Sequence, residues 1–260
     1  MLKQEVKRVE REQLEAYLRD FLAVDTIKDY CPNGLQIEGR PHIQSIVTGV
    51  TACQELLERA LVTDADAILV HHGYFWKGEP QPIKGMKKRR VQTLLRNDIN
   101  LFAYHLPLDV HLRIGNNAQL ARLMDWPEPS VLASAEPEGV VMYTELSHTE
   151  TAEQVALQLE TKLGRSLVCS VHESQHPVRK IAWCTGGGQG FIDFAAAAGC
   201  DLFITGEVSE PTVHSAREQG IAFFAAGHHA TERYGIQALG EHLAEKFGLT
   251  HQFIDIDSPA

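Results

Sequence analysis

Long hydrophobic runs and paired cysteines are both missing from this sequence of 260 residues. No apolar stretch approaches the roughly 18 residues that a membrane-spanning helix needs. The charged opening segment, MLKQEVKRVEREQLEAYLRDFL, has no apolar core of the kind found in secretory signals. The five cysteines are scattered, without a Cys-x-x-Cys pair, which disfavours both a cysteine-based zinc site and a disulfide framework. We therefore expect a cytoplasmic protein with reduced thiols and no membrane partner.

Two common catalytic signatures are also missing, and positive charge is scarce. The chain contains neither a phosphate-binding loop that ends in Lys-Ser/Thr nor a G-x-S-x-G elbow, so nucleophilic serine chemistry is not expected. The net charge of −10 makes nucleic acid an unlikely partner, because sequence-independent binding depends on neutralised phosphates. One short basic cluster, Lys84 to Arg90, is interpreted as a solvated surface or an oligomer contact, with anion binding as the alternative.

Apolar strands alternate with helical patterns along most of the chain. Residues 9 to 24 have helical spacing, and strands are predicted at 35–37, 45–50, 67–70, 100–104, 140–145, 167–171 and 180–184. Helices are predicted between them at 52–62, 87–97, 115–124, 151–163 and 191–198. Such spacing requires crossover connections, so we predict an α/β protein with largely parallel or mixed sheets.

The second half of the chain repeats the pattern of the first. SIVTGVTACQELLERALVTDADAILVHHG and KIAWCTGGGQGFIDFAAAAGCDLFITGE each contain a strand, a glycine turn, a helix and a second strand with a polar end. Three prolines mark residues 126 to 138 as a linker. We therefore predict two related modules, 1–127 and 128–260, with the segment from about 225 to 260 able to pack with the first.

Histidines and carboxylates gather where the predicted strands end. Ligands of open α/β sheets collect outside the carboxyl ends of the strands, and imidazole with carboxylate suits zinc, iron, manganese or nickel. A histidine followed four residues later by an acid occurs in both halves. The histidines and carboxylates at the predicted strand ends of both halves are His71, His72, His105, Asp109, His228, His229 and Glu232.

A simpler interpretation of these residues stays open. Two adjacent histidines before a glycine are also typical of an ordinary polar strand end. Thirteen histidines give many chances of accidental clusters. Either the chain turns at Gly73 so that His71 and His72 face one metal site, or the pair is a strand end without a ligand.

The sequence resembles the Nif-three-like family, also called GTP cyclohydrolase 1 type 2 homologues, and most closely its short bacterial YbgI-type members. The resemblance is carried by Pro-Asn-Gly-Leu-Gln at 32–36, Val-His-His-Gly at 70–73, His-Leu-Pro-Leu-Asp at 105–109, Thr-Gly-Glu at 205–207 and Gly-His-His-Ala-Thr-Glu at 227–232. It implies two related α/β domains, a metal site in the cleft between them, and a homo-hexameric ring.

The resemblance also implies a set of site residues. Two divalent metal ions per chain, of unknown identity among zinc, iron, manganese and nickel, would be held by five ligands: His71, His72, Asp109, His228 and Glu232. Apart from the resemblance, we expect Glu207 or His105 to move protons, with Glu207 alternatively only an acid near a helix N-terminus. The implied function is a metal-dependent hydrolase of a small molecule, with a purine nucleotide suggested by the family's name alone. The alternative is a metal-loaded ring that acts as a binding or regulatory scaffold without turnover.

Three further stretches have two interpretations each. The glycine-rich loop 186–190 is either a tight strand-to-helix turn or an anion cradle. Tyr74 and Trp76 either shape the wall of the site or an oligomer contact, or they stack on a base or ring. Asn33 is first a turn residue, with contact to a substrate as the alternative.

Overall fold

The structure is a computed structural model, and it describes residues 7–173 and 175–260. Thirteen strands run in chain order within these residues: β1 Val9–Glu10, β2 Gly34–Ile37, β3 His42–Ile43, β4 Ser45–Thr51, β5 Ala67–His72, β6 Asn100–Ala103, β7 Ser130–Val131, β8 Met142–Thr151, β9 Cys169–Val171, β10 Pro177–Cys184, β11 Leu202–Thr205, β12 Ala222–Ala225 and β13 Thr250–Phe253. The α-helices of the same residues are α1 Arg11–Phe21, α2 Gln54–Val62, α3 Gly85–Arg96, α4 Leu106–Asp109, α5 Asn116–Leu123, α6 Ala152–Leu163, α7 Ile192–Ala197, α8 Glu210–Gln219 and α9 His228–Phe247.

Chain contacts divide the protein into two compact units. The first unit comprises residues 1–108 and 236–257, and the second comprises residues 109–235 and 258–260. Residues 109–127, which we assigned to the first module, fall in the second unit by this measure. The division into related modules at residues 127 and 128 stays a prediction.

The first unit contains a five-stranded sheet in the order β13-β4-β5-β6-β2. Strands β13, β4, β5 and β6 are parallel, and β2 is antiparallel to β6. The short strand β1 pairs antiparallel with β3 in a separate two-stranded sheet. The predicted helix at 9–24 is therefore shorter than expected: Val9 is buried against Ile43 in this ladder, and the helix occupies Arg11–Phe21.

The second unit contains a six-stranded sheet in the order β7-β8-β10-β11-β12-β9. Strands β10, β11 and β12 are parallel, whereas β8 and β9 are antiparallel to their neighbours. Successive residues of β11 enter different core clusters, Leu202 on one face and Phe203 on the other. A sheet covered on both faces is typical of parallel α/β folds. The predicted α/β class with largely parallel or mixed sheets is confirmed.

Helix α6 shows how local sequence sets an element's limits. The Thr151 hydroxyl accepts from the amide of Gln154, and the Gln154 side chain accepts from the amide of Thr151. This capping box satisfies backbone donors that would otherwise lack a partner at the helix start. Gly164 ends the helix with a left-handed backbone, φ +70.

We expect Thr151→Ala to lower the free energy of unfolding by about 1 kcal/mol, because the hydroxyl cap is lost. Urea denaturation of the two proteins measures the difference. Thr161→Ala, in the same helix but away from its N-terminus, is the control. An equal loss in both variants would contradict the capping account.

Candidate metal-binding site

Three histidines lie together at the strand ends of the first unit. Strand β5 ends in His71 and His72, and His105 follows β6. One ring nitrogen from each histidine lies within 4.8 Å of the other two. The rings of His71 and His72 are 4.6 Å apart between centroids, although adjacent strand residues normally point to opposite faces. The chain thus brings the neighbouring histidines together, and this group could hold a metal ion.

Each of these histidines is anchored through Nδ1. His71 Nδ1 donates to the carbonyl oxygen of Tyr104 at 2.9 Å, and His105 Nδ1 donates to a carboxylate oxygen of Asp29 at 3.0 Å. His72 Nδ1 is hydrogen-bonded to the hydroxyl of Thr51 at 3.2 Å. In metal sites the second nitrogen of a ligating histidine is usually bonded in this way, which orients the ring and selects its tautomer. If a metal ion binds to this group, Nε2 is the ring nitrogen that would coordinate it.

Asp29 is a support for this group that sequence reasoning missed. Its side chain is only 3% exposed. Besides His105, it accepts hydrogen bonds from the amides of Tyr30 and Leu106 and from Nδ2 of Asn33. Burial alone would raise the pKa of Asp29, but these hydrogen bonds and the charge of His105 lower it to about 2. The ionised carboxylate therefore fixes the loop that carries His105.

Cys31 forms a second group with Asp29 and His105, again with candidate atoms within 4.8 Å of one another. The oxygens of Asp29 are already committed to four N–H donors. A metal ion there would have to displace those donors and leave them without acceptors, which is costly for buried groups. We interpret this second group as the support of His105.

We expect Asp29→Asn to lower the free energy of unfolding by about 2–3 kcal/mol. The side-chain NH2 group of asparagine would face N–H donors that now bond to the Asp29 carboxylate, so some of these hydrogen bonds would be lost. Urea denaturation measures the loss. Asp25→Asn is the matched control, because the Asp25 side chain is 63% exposed and its ion pair is with Arg19. Equal stability of Asp29→Asn and the wild type would contradict the support role.

In the second unit a histidine lies between two carboxylates. His228 is the first residue of α9, and Glu232 lies one turn later. His228 Nε2 is 3.1 Å from Oε2 of Glu232, and Nδ1 is 2.7 Å from Oε1 of Glu207. Burial lowers the pKa of His228, but Glu232 and then Glu207 outweigh it and raise the pKa to about 9. A carboxylate lies at each of the two ring nitrogens of His228, and this arrangement favours a positive charge there. A metal ion would also supply such a charge.

Asp109 is buried in the second unit and is held by a neighbour. Nδ2 of Asn116 donates to Oδ1 of Asp109 at 2.8 Å. The other amide atom of Asn116 accepts from the amide of Gly235 in helix α9 at 3.0 Å. Asn116 is fully buried, so its two hydrogen bonds orient the carboxylate of Asp109 against α9.

The glycine-rich loop behaves as a tight turn. The amide of Gly186 donates to the hydroxyl of Thr231, and the amide of Gly188 donates to the hydroxyl of Thr205, each at 3.0 Å. These two amides are therefore committed to the protein. Gly186 has φ +66, and a Cβ added there would lie 2.0 Å from Oε1 of Glu232. The glycine thus leaves room for the Glu232 carboxylate.

Three other candidate residues form hydrogen bonds with neighbouring parts of the protein. Tyr74 is buried in the core of the first unit, and its hydroxyl donates to the carbonyl of Ala52. Both amide atoms of Asn33 bond within the protein, to Asp29 and to the amide of His105. The amide of His229 donates to the carbonyl oxygen of Ala260. Trp76 differs from these, since its ring contacts His72 and His105.

Known proteins resemble this chain along nearly its whole length. The family model described as Duf34/NIF3 (NGG1p interacting factor 3) matches residues 9–259. A protein of Haemophilus influenzae named GTP cyclohydrolase 1 type 2 homolog is 54% identical over 248 residues, covering 95% of this chain and 98% of that protein. A protein of Pseudomonas aeruginosa with the same name is 54% identical over 240 residues, covering 92% and 94%.

A solved structure shows the same fold. The protein ybgI, described as of unknown function, has a TM-score of 0.91 and 52% sequence identity to this chain. The match covers 97% of this chain and 100% of the solved one. The resemblance inferred from the sequence motifs is confirmed, and the chain belongs to the Duf34/NIF3 family.

Proposed function

We propose that the protein is a metal-dependent hydrolase of a small molecule, with about two divalent ions held per chain. The observation that carries this proposal is the group of three histidines whose ring nitrogens lie within 4.8 Å and whose Nδ1 atoms are anchored. The proposed ligands are His71, His72, Asp109, His228 and Glu232. His105, which lies with His71 and His72, is a further candidate ligand or a proton carrier.

The residues present fit a divalent metal. Imidazole nitrogens with carboxylate oxygens are the donor set of zinc, iron, manganese and nickel, and that set does not select among them. The side chain of Glu232 is 3% exposed and lies 3.1 Å from Nε2 of His228, so a carboxylate and an imidazole already share one buried position. Gly186 leaves space at this carboxylate that any Cβ would fill. The types of donor atom and the space beside the Glu232 carboxylate thus both support the binding of a divalent metal ion.

The chain's own residues supply the proton handling. Divalent ions in such sites lower the pKa of water and polarise carbonyl or phosphoryl oxygens. Glu207 is 46% exposed and bonds His228, so it can exchange protons with solvent next to the site. His105, oriented by Asp29, is the second proton carrier. These roles suit hydrolysis of a C=N, amide or phosphoester bond.

Wild-type protein purified without chelator or added metal is the material for the test. Elemental analysis gives the metal content, and a panel of nucleotides, cyclic amides and phosphoesters gives the activity. Metal together with hydrolysis that a chelator removes supports the proposal. Tight metal without turnover on the whole panel favours the scaffold alternative, and the absence of metal after soaking contradicts both.

Assembly and location stay predictions. Within the described residues, no helix is long and apolar enough to cross a membrane. The homo-hexamer follows from the family resemblance, and light scattering on the purified protein tests it. A monomer across the accessible concentration range would contradict it.

A further inference from the structure

Two aromatic rings stand beside the histidine group of the first unit. The Trp76 ring lies 5.0 Å from His105 and 6.0 Å from His72 between centroids. The Tyr30 ring lies 5.0 Å from His105 and 5.7 Å from Trp76. The mechanism proposed above uses neither ring.

Hydrogen bonds within and between two loops position the residues Tyr30 and Trp76. Nε1 of Trp76 donates to the carbonyl of Gly73, directly after the histidine pair, and its backbone amide donates to the Glu79 carboxylate. The amide of Lys77 donates to the carbonyl of Tyr30 at 2.8 Å, which joins the two loops. Hydrogen bonds within the protein therefore hold the Trp76 ring and the backbone that carries Tyr30.

Exposure separates Tyr30 from ordinary core aromatics, and Trp76 is only half-buried. Tyr30 is 53% exposed, whereas Tyr74 and Tyr104 in the same unit are buried at 4% and 0%. An exposed ring beside polar histidines contributes little to the core, but it offers a flat apolar face next to candidate metal ligands. Bases stack on such faces with little dependence on their identity, because every base has a π-face.

We propose that Tyr30 and Trp76 form a stacking platform that holds a planar aromatic ring of the substrate beside His72 and His105. This inference rests on the proposed function and narrows its substrate class to an aromatic heterocycle. Lys28 and Lys77 are exposed and lie in the same two loops, within two residues of Tyr30 and Trp76. A heterocycle with an anionic substituent, such as a nucleotide, matches both the rings and these charges.

Binding of guanosine, adenosine and uridine 5′-monophosphates, compared with ribose 5-phosphate, tests the platform. Equilibrium dialysis reports affinity without requiring turnover. We expect each nucleotide to bind the wild type about tenfold or more tightly than ribose 5-phosphate. Tyr30→Leu and Trp76→Leu should lose about that factor, whereas Tyr30→Phe should keep it.

The matched control is Phe75→Leu. Phe75 lies in the same loop as Trp76 and is 36% exposed, and its ring packs with Tyr74 and Lys87. Nucleotide affinities of Tyr30→Leu and Trp76→Leu within twofold of the wild type would overturn the platform. So would equal binding of ribose 5-phosphate and the three nucleotides by the wild type.

Metal content, measured on the same samples, separates this inference from the proposed function. Unchanged metal with lost nucleotide binding in Tyr30→Leu supports the platform. Full metal and hydrolysis of a compound without a ring, together with no preference for nucleotides, overturns the platform and leaves the hydrolase. Wild-type protein without metal overturns the hydrolase, whereas nucleotide binding that Tyr30→Leu and Trp76→Leu lose would still support the platform.

Discussion

Replacing Glu232 by glutamine is expected to remove at least one metal ion per chain while the protein stays folded. The glutamate is buried, with its side chain 3% exposed, and lies one helical turn from His228. Glutamine has nearly the same volume, so packing is retained. A neutral amide is a much weaker ligand for these divalent ions than a carboxylate. Elemental analysis of the purified variant measures the metal, and circular dichroism checks the fold.

Glu241→Gln is the control for this experiment. Glu241 lies in the same helix, is exposed, and accepts a hydrogen bond from Gln237. The same loss of charge there should leave the metal content unchanged. Full metal in Glu232→Gln, with an intact fold, would contradict the ligand role of Glu232.

Gly186→Ala is expected to destabilise the protein and to lower its metal content. Two causes act together. The left-handed backbone at φ +66 costs alanine about 1–2 kcal/mol. The new Cβ would also lie 2.0 Å from Oε1 of Glu232 and 3.2 Å from Nε2 of His228, so these side chains must shift. We expect a total loss of more than about 2 kcal/mol in the free energy of unfolding.

Two other glycines separate the causes. Gly164 has φ +70 and open space around the missing Cβ, so Gly164→Ala carries the backbone strain alone. Gly190, in the same loop as Gly186, has open space and no positive φ, so Gly190→Ala carries neither cost. Metal content should fall in Gly186→Ala alone. Equal metal in all three variants would contradict the idea that Gly186 makes room for Glu232.

Sequence reasoning predicted the elements whose signal is local. Strands β4, β5 and β10 and helices α2 and α6 lie close to their predicted ranges, because periodicity and capping are read from neighbouring residues. The repeated strand and helix order also appears in both units, with four adjacent parallel strands in the first and three in the second. The polar residues were expected at strand ends, and the histidine group of the first unit lies there.

What sequence reasoning missed depends on contacts between distant parts of the chain. Val9 belongs to a strand because Ile43, far along the chain, pairs with it. Asp29 supports His105 across an interval of 76 residues, and its local context, Asp-Tyr-Cys-Pro-Asn-Gly, signals only a turn. Trp76 was one of two candidate aromatics, and its burial and its ring contacts with His72 and His105 distinguish it from Tyr74. Tyr30 carried no signal beyond its place in that turn.

The number of metal ions bound per wild-type chain tests the central claim most directly. Protein is purified without chelator or added metal, and zinc, iron, manganese and nickel are measured by elemental analysis against protein concentration. We expect about two ions per chain. Metal-free protein that takes up none of these ions on soaking would contradict it, and His71 and His72 would then be a polar strand end.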